Sequence, residues 1–119
     1  MHLLSFKVYN FLRVYNMYFE KIIKSFIFVT FFNLLINKDK ISVSSKNIEF
    51  GDSFEEIQIS NANFNERFDF LLNVRYLNHI LKATDCDTIT FNFINVNKPI
   101  LITDKKEENL KFLILPLRH

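Results

Sequence analysis

The sequence predicts an α+β protein in which a largely antiparallel sheet packs against helices. Three observations predict it. From residue 54 the pattern runs strand, strand, helix, then three strands; Asn73 stands as a cap before an amphipathic helix; and Thr88–Asn95 alternates polar and apolar residues at period two. The chain has 119 residues, 49% of them apolar and 24% charged, which suits one packed domain of roughly 100–150 residues.

The N-terminal stretch, residues 1–30, carries aromatics and aliphatics at mixed spacings. Positions 15, 18, 19, 22, 23 and 26 follow helical spacing, with Lys21 and Lys24 off the stripe, and predict a helix over Asn16–Ser25. The apolar run Ile22–Ile36 is broken by Lys24 and Asn33, and is shorter than the roughly 20 residues that a membrane-spanning helix wants. It reads as a buried helix-to-strand passage, with a membrane anchor as the alternative.

Lys38-Asp39 reads as a hairpin turn between strands Phe32–Ile36 and Lys40–Ser44, followed by a polar loop, Ser45–Ser53, that holds the single glycine, Gly51. Phe54–Ser60 alternates as a strand with Ile57 and Ile59 on one face; Ala62–Glu66 is a loop and Phe68–Leu72 the next strand. Asn73 is placed to accept an orphan backbone N–H of the helix behind it. That helix sets Val74, Leu77, Ile80, Leu81 and Thr84 on one face, opposite Arg75, Asn78, His79 and Lys82. Asp85-Cys86-Asp87 ends it.

In the next strand Ile89, Phe91 and Phe93 share a face. Pro99 opens a short strand, Ile100–Thr103; a charged turn, Asp104–Asn109, leads to the last, Leu110–Leu115. There Phe112 and Ile114 point one way, and Lys111, Leu113 and Leu115 the other. Both faces are therefore apolar near the end of the strand. Either residues 1–30 supply a second layer over Leu113 and Leu115, or these leucines form an exposed recess for a partner.

Composition excludes several chemistries. One glycine cannot build a Gly-rich phosphate cradle; one cysteine, Cys86, forms no internal disulfide; and three scattered histidines beside it make no zinc set. The sequence predicts no metal and no cofactor. Net charge is +2, split as +4 over residues 1–40 (six Lys/Arg, two acids) and −2 over 41–119 (nine against eleven), which is no footprint for nucleic acid. The acid pairs Glu55-Glu56, Asp85/Asp87 and Glu107-Glu108 lie on alternating strand faces or in solvated turns. His79 sits on a polar helix face, and Cys86 lies in a helix-ending turn between two acids, the wrong setting for a nucleophile. No catalytic set assembles, and an enzyme is not predicted.

Three segments, in order, resemble one family. Asn73-Val74-Arg75-Tyr76-Leu77 with Leu81-Lys82-Ala83, then Asn97-Lys98-Pro99-Ile100-Leu101-Ile102, then Leu115-Pro116-Leu117-Arg118, are similar to the third, C-terminal domain of the bacterial DNA polymerase III beta subunit, the sliding clamp. Lys40–Ser44 and the stretch from Glu49 to Glu56 look like that domain's central hairpin and acidic edge. The likeness divides the chain into a poorly matching segment, 1–30, and a clamp domain, 31–119, and implies the DNA-clamp fold built of β-α-β-β-β units.

The resemblance also implies a role. Clamp subunits form a head-to-tail dimeric ring around duplex DNA, a cytoplasmic, non-catalytic tether that makes the polymerase processive in replication. Polymerase III subunits and the clamp loader dock through short apolar peptide motifs in a cleft between the second and third domains. Carried over by matched position, this chain's side of the cleft would be Asn73, Tyr76, Asn97, Pro99, Leu113, Leu115, Pro116, Leu117 and Arg118. The dimer edge would hold Glu49, Asp52, Glu55 and Glu56. Departures are Leu71 and Leu72 where Gly and Phe are common, and His119 for a terminal Leu. A length of one domain rather than three implies a truncated clamp that reaches DNA only within a full ring. The alternatives are a small membrane-associated protein anchored by residues 22–36, or a clamp remnant without function.

Overall fold

The structure, a computed structural model, describes residues 1–15, 31–45, 53–104 and 111–117. Its elements are β1 (His2–Lys7), α1 (Val8–Val14), β2 (Phe31–Ile36), β3 (Lys40–Ser45), β4 (Ser53–Ala62), β5 (Phe68–Asn73), α2 (Val74–Ala83), β6 (Thr88–Phe93), β7 (Ile100–Asp104) and β8 (Lys111–Ile114). They read as one unit stated twice, β1-α1-β2-β3-β4 and then β5-α2-β6-β7-β8, the β-α-β-β-β architecture implied by the resemblance.

The strands lie in the order β5-β2-β3-β4-β1-β6-β7-β8, with every pairing antiparallel. Each unit lends its first strand to the other. β5 pairs with β2 along its length, Phe31 opposite Asn73 and Ile36 opposite Phe68. β1 pairs with β6, His2 opposite Phe93 and Lys7 opposite Thr88. β4 connects the two halves, because its last residues pair with β1 through a register shift at Ser5/Phe6. The matching contact at the other corner is an isolated bridge, Leu117 to Leu71, in which Leu117 N–H donates to Leu71 O at 2.9 Å.

The core is the apolar side of this sheet. Leu4 and Phe6 of β1, Leu34 and Ile36 of β2, Ile41 and Val43 of β3, Phe70 and Leu72 of β5, and Phe91 and Phe93 of β6 are buried at alternate positions, as a half-covered strand requires. Val8, Phe11 and Val14 of α1 and Leu77, Ile80 and Leu81 of α2 close over them. Phe93 is the aromatic centre, with ring centroids 4.9 Å from Phe68, 5.1 Å from Phe70, 5.4 Å from His2 and 5.5 Å from Phe64. The three phenylalanine pairs are edge-to-face, and each such pair adds about 0.5–1.5 kcal/mol beyond the area it buries.

The hairpin at Lys38-Asp39 and the strands over 54–60, 68–72 and 100–103 stand where the sequence puts them, whereas the strand expected over Thr88–Asn95 ends at Phe93 and the last one ends at Ile114, before Leu115. Asn37 Oδ1 closes that hairpin by accepting from Asp39 N–H at 2.8 Å and Lys40 N–H at 3.0 Å.

Residues 1–15 join the same sheet and core, since β1 lies between β4 and β6 and α1 caps the shared core. Other expectations are corrected. Asn78 leaves the polar face of α2: it is 3% exposed, and its Oδ1 has no hydrogen-bond partner. α2 ends at Ala83, so Thr84 is an extended cap residue (φ −89°, ψ 144°) that donates to Asp104 and holds the following loop in place. Ala62 belongs to β4 rather than to the loop.

Part of the expected membrane anchor, Phe31–Ile36, is strand β2, and among the described residues no helix is long and apolar enough to cross a membrane. The helix expected over Asn16–Ser25 and most of the Ser45–Ser53 loop and Asp104–Asn109 turn lie outside the described residues.

Candidate docking site at the start of the second helix

The site is built by the first turn of α2 and the end of β8. Asn73 closes β5 in an extended conformation, and its Oδ1 accepts from Tyr76 N–H at 3.0 Å, satisfying one of the donors a helix start leaves orphaned. The cap fixes the first turn and with it Tyr76, 45% exposed on the shoulder of the helix. The Tyr76 hydroxyl donates to Leu113 O at 3.5 Å, tying the helix to β8.

On β8 the alternation sends Ile114 into the core and leaves Leu113 53% exposed, while Leu115, just past the strand, is 68% exposed. Pro116 cannot donate to a ladder, so pairing stops there, and the tail is caught again at Leu117 by the bridge to β5. The result is a recess of about 360 Å³, lined among the described residues by Asn73, Tyr76, Leu113, Ile114 and Leu115. That volume suits one or two side chains of a ligand. Among the described residues no carboxylate, imidazole or thiol lines it, so they offer apolar burial with a hydroxyl and an amide at the rim.

The structure thus brings together Asn73, Tyr76, Leu113 and Leu115. Asn97 and Pro99 lie in the exposed turn before β7, where Asn97 N–H donates to Asn95 Oδ1 at 2.9 Å. Ile100 stands opposite Ile114, so this turn is at the same end of the sheet, but neither residue lines the recess. Pro116 and the 40% exposed Leu117 continue along the tail without lining it. Arg118 lies outside the described residues. The second layer expected from residues 1–30 does not cover the leucines among the described residues. Sequence reasoning missed Ile114 as the floor and Leu71 as the anchor of the tail; the pairing of a tail with a distant strand leaves no local signal.

Of the expected dimer edge, Glu55 and Glu56 fall on the first half of β4. That half pairs with β3, Glu55 opposite Val43 and Glu56 opposite Ser42, and no strand pairs with its other side among the described residues. Glu56 forms an ion pair with Lys40. Glu49 and Asp52 lie outside the described residues. His79 is exposed and Cys86 half-buried, and no group of three or more His, Cys, Asp or Glu side chains could hold a metal ion among the described residues.

This architecture is that of sliding-clamp domains. The DNA polymerase III beta subunit from Thermotoga maritima superposes with a TM-score of 0.84 at 13% identity, over 99% of this chain and 31% of that one. The sliding clamp from Caulobacter crescentus gives 0.83 at 21% identity, over 100% and 30%. The beta chain from Streptococcus pneumoniae gives 0.84 at 24% identity, over 99% and 31%.

The family model described as DNA polymerase III beta subunit, C-terminal domain, matches residues 27–118, and the chain belongs to that family. Among curated relatives, the beta sliding clamp of Mycoplasma capricolum is 33% identical over 84 residues, 71% of this chain and 22% of that protein. That of Caulobacter vibrioides is 26% identical over 85 residues, with the same coverage. The chain thus spans 22% of the length of these relatives.

Proposed function

We propose that the chain serves DNA replication as part of a polymerase III sliding clamp, carrying one wall of the cleft into which the polymerase and other clamp partners dock short apolar peptides. It works in the cytoplasm as a non-catalytic processivity component, and it meets duplex DNA only within a complete ring. The open rim of β4 beside Glu55 and Glu56 is the edge that faces a neighbouring subunit, with Glu49 and Asp52 as the further acids of that contact.

The observation that carries this reading is the pair of outward leucines, Leu113 and Leu115, held against Tyr76 by a capped helix. A water-exposed aliphatic pair beside an amphipathic ring is costly unless something covers it, and burying one or two peptide side chains there yields about 1.5–3 kcal/mol each before ordering costs. A single wall therefore predicts weak binding, with Kd on the order of 1 mM.

Titrating the full chain into a fluorescent peptide bearing an apolar clamp-binding motif tests it. Saturable binding is expected, weakened about tenfold or more by Tyr76→Ala or Leu115→Asp. A folded sample that shows no saturable binding overturns the docking role and leaves family membership intact.

A further inference from the structure

A larger cavity, about 490 Å³, lies at the start of α1. One wall is Lys7, Val8, Tyr9 and Leu12; the other is the loop after α2, with Asp85 and Asp87. Val8 N–H donates to Asp87 O at 2.9 Å and joins the two walls. The loop is itself fixed, since Thr84 donates to the buried Asp104 and accepts from Cys86 N–H at 3.3 Å.

The chemistry differs from that of the recess. Val8, Leu12 and the exposed ring of Tyr9 supply apolar surface, while both carboxylates are exposed and neither forms an ion pair among the described residues. Two carboxylates against the single ammonium of Lys7 leave the rim one negative charge in excess.

We infer that this cavity is a second docking site, which takes a partner peptide presenting an aromatic or aliphatic side chain next to Lys or Arg. The apolar group enters between Val8, Leu12 and Tyr9, and the cation meets Asp85 and Asp87. The two sites stand at opposite ends of α2, whose ten residues span about 15 Å, so one copy of the chain holds both occupants together. The inference does not rest on the clamp reading.

Cys86, the chain's single cysteine, lines the cavity and reports on it. The probe is a capped Arg-Phe-Arg tripeptide, and the measurement is the rate of Cys86 alkylation by iodoacetamide on the folded full chain. The tripeptide is expected to slow alkylation saturably. The double variant Asp85→Asn/Asp87→Asn raises the concentration needed by about three- to tenfold, and Lys7→Gln lowers it. Tyr76→Ala leaves the protection unchanged, which separates this site from the recess. No protection at about 10 mM tripeptide, or equal protection by a capped Glu-Phe-Glu, overturns the proposal.

Discussion

The two β-α-β-β-β units share a topology and differ in how each starts its helix. In the second, Asn73 stands extended (φ −76°, ψ 100°) and caps α2 with its own side chain. In the first, Lys7 adopts nearly the same backbone (φ −76°, ψ 125°) and supplies no side-chain cap. The first donor of α1 is instead satisfied from the other unit, by Asp87 O. One helix start is written in local chemistry and the other in tertiary contact, and the second kind exists only once both units have assembled.

Breaking the contact between units has the largest expected effect. Phe93 touches β1 of the first unit through His2 and links it to β5 of its own unit through Phe68 and Phe70, so Phe93→Ala is expected to cost about 3–5 kcal/mol. Denaturant unfolding followed at two probes, one in each unit, checks it. A loss of stability confined to one unit would separate the halves that the strand exchange joins.

Asn78→Leu sharpens the comparison at the helix that looks self-sufficient. The substitution removes a buried carbonyl oxygen without a partner, and a gain of about 1–2 kcal/mol is expected in the same unfolding measurement. Asn73→Ala strips the local cap from α2 and is expected to cost about 1 kcal/mol. Lys7→Asn offers α1 the cap it lacks, with an expected gain of about 0.5 kcal/mol. Equal responses at positions 7 and 73, in sign as well as size, would show that the two starts are not governed differently.

The same contrast explains what the sequence discloses. β5 and α2 are legible because alternation, a capping residue and a helical stripe follow one another within sixteen residues, Phe68–Ala83. β1 is not: Leu3 and Leu4 adjoin, Ser5 is buried although polar because its hydroxyl bonds Thr90 at 2.8 Å, and a bulge shifts its register. Nothing in residues 2–7 announces a partner that far along the chain.

At the recess, Leu113 and Leu115 are legible from their alternation against Ile114, and Asn73 from its position. Asn97 and Pro99, assigned by resemblance, lie beside it without lining it. Asn78 misleads because a polar residue is assigned outward by rule, whereas packing decides which side of a helix is covered.

The placement of β1 has a consequence for biosynthesis. Ser5 meets Thr90 across 85 residues, so β1, which leaves the ribosome before β6, must wait for it before its second flank is covered. Until then, an apolar ribbon bearing Leu4 and Phe6 is held by β4 alone. Closing so long a loop is slow, and co-translational folding cannot finish the sheet before the second unit emerges.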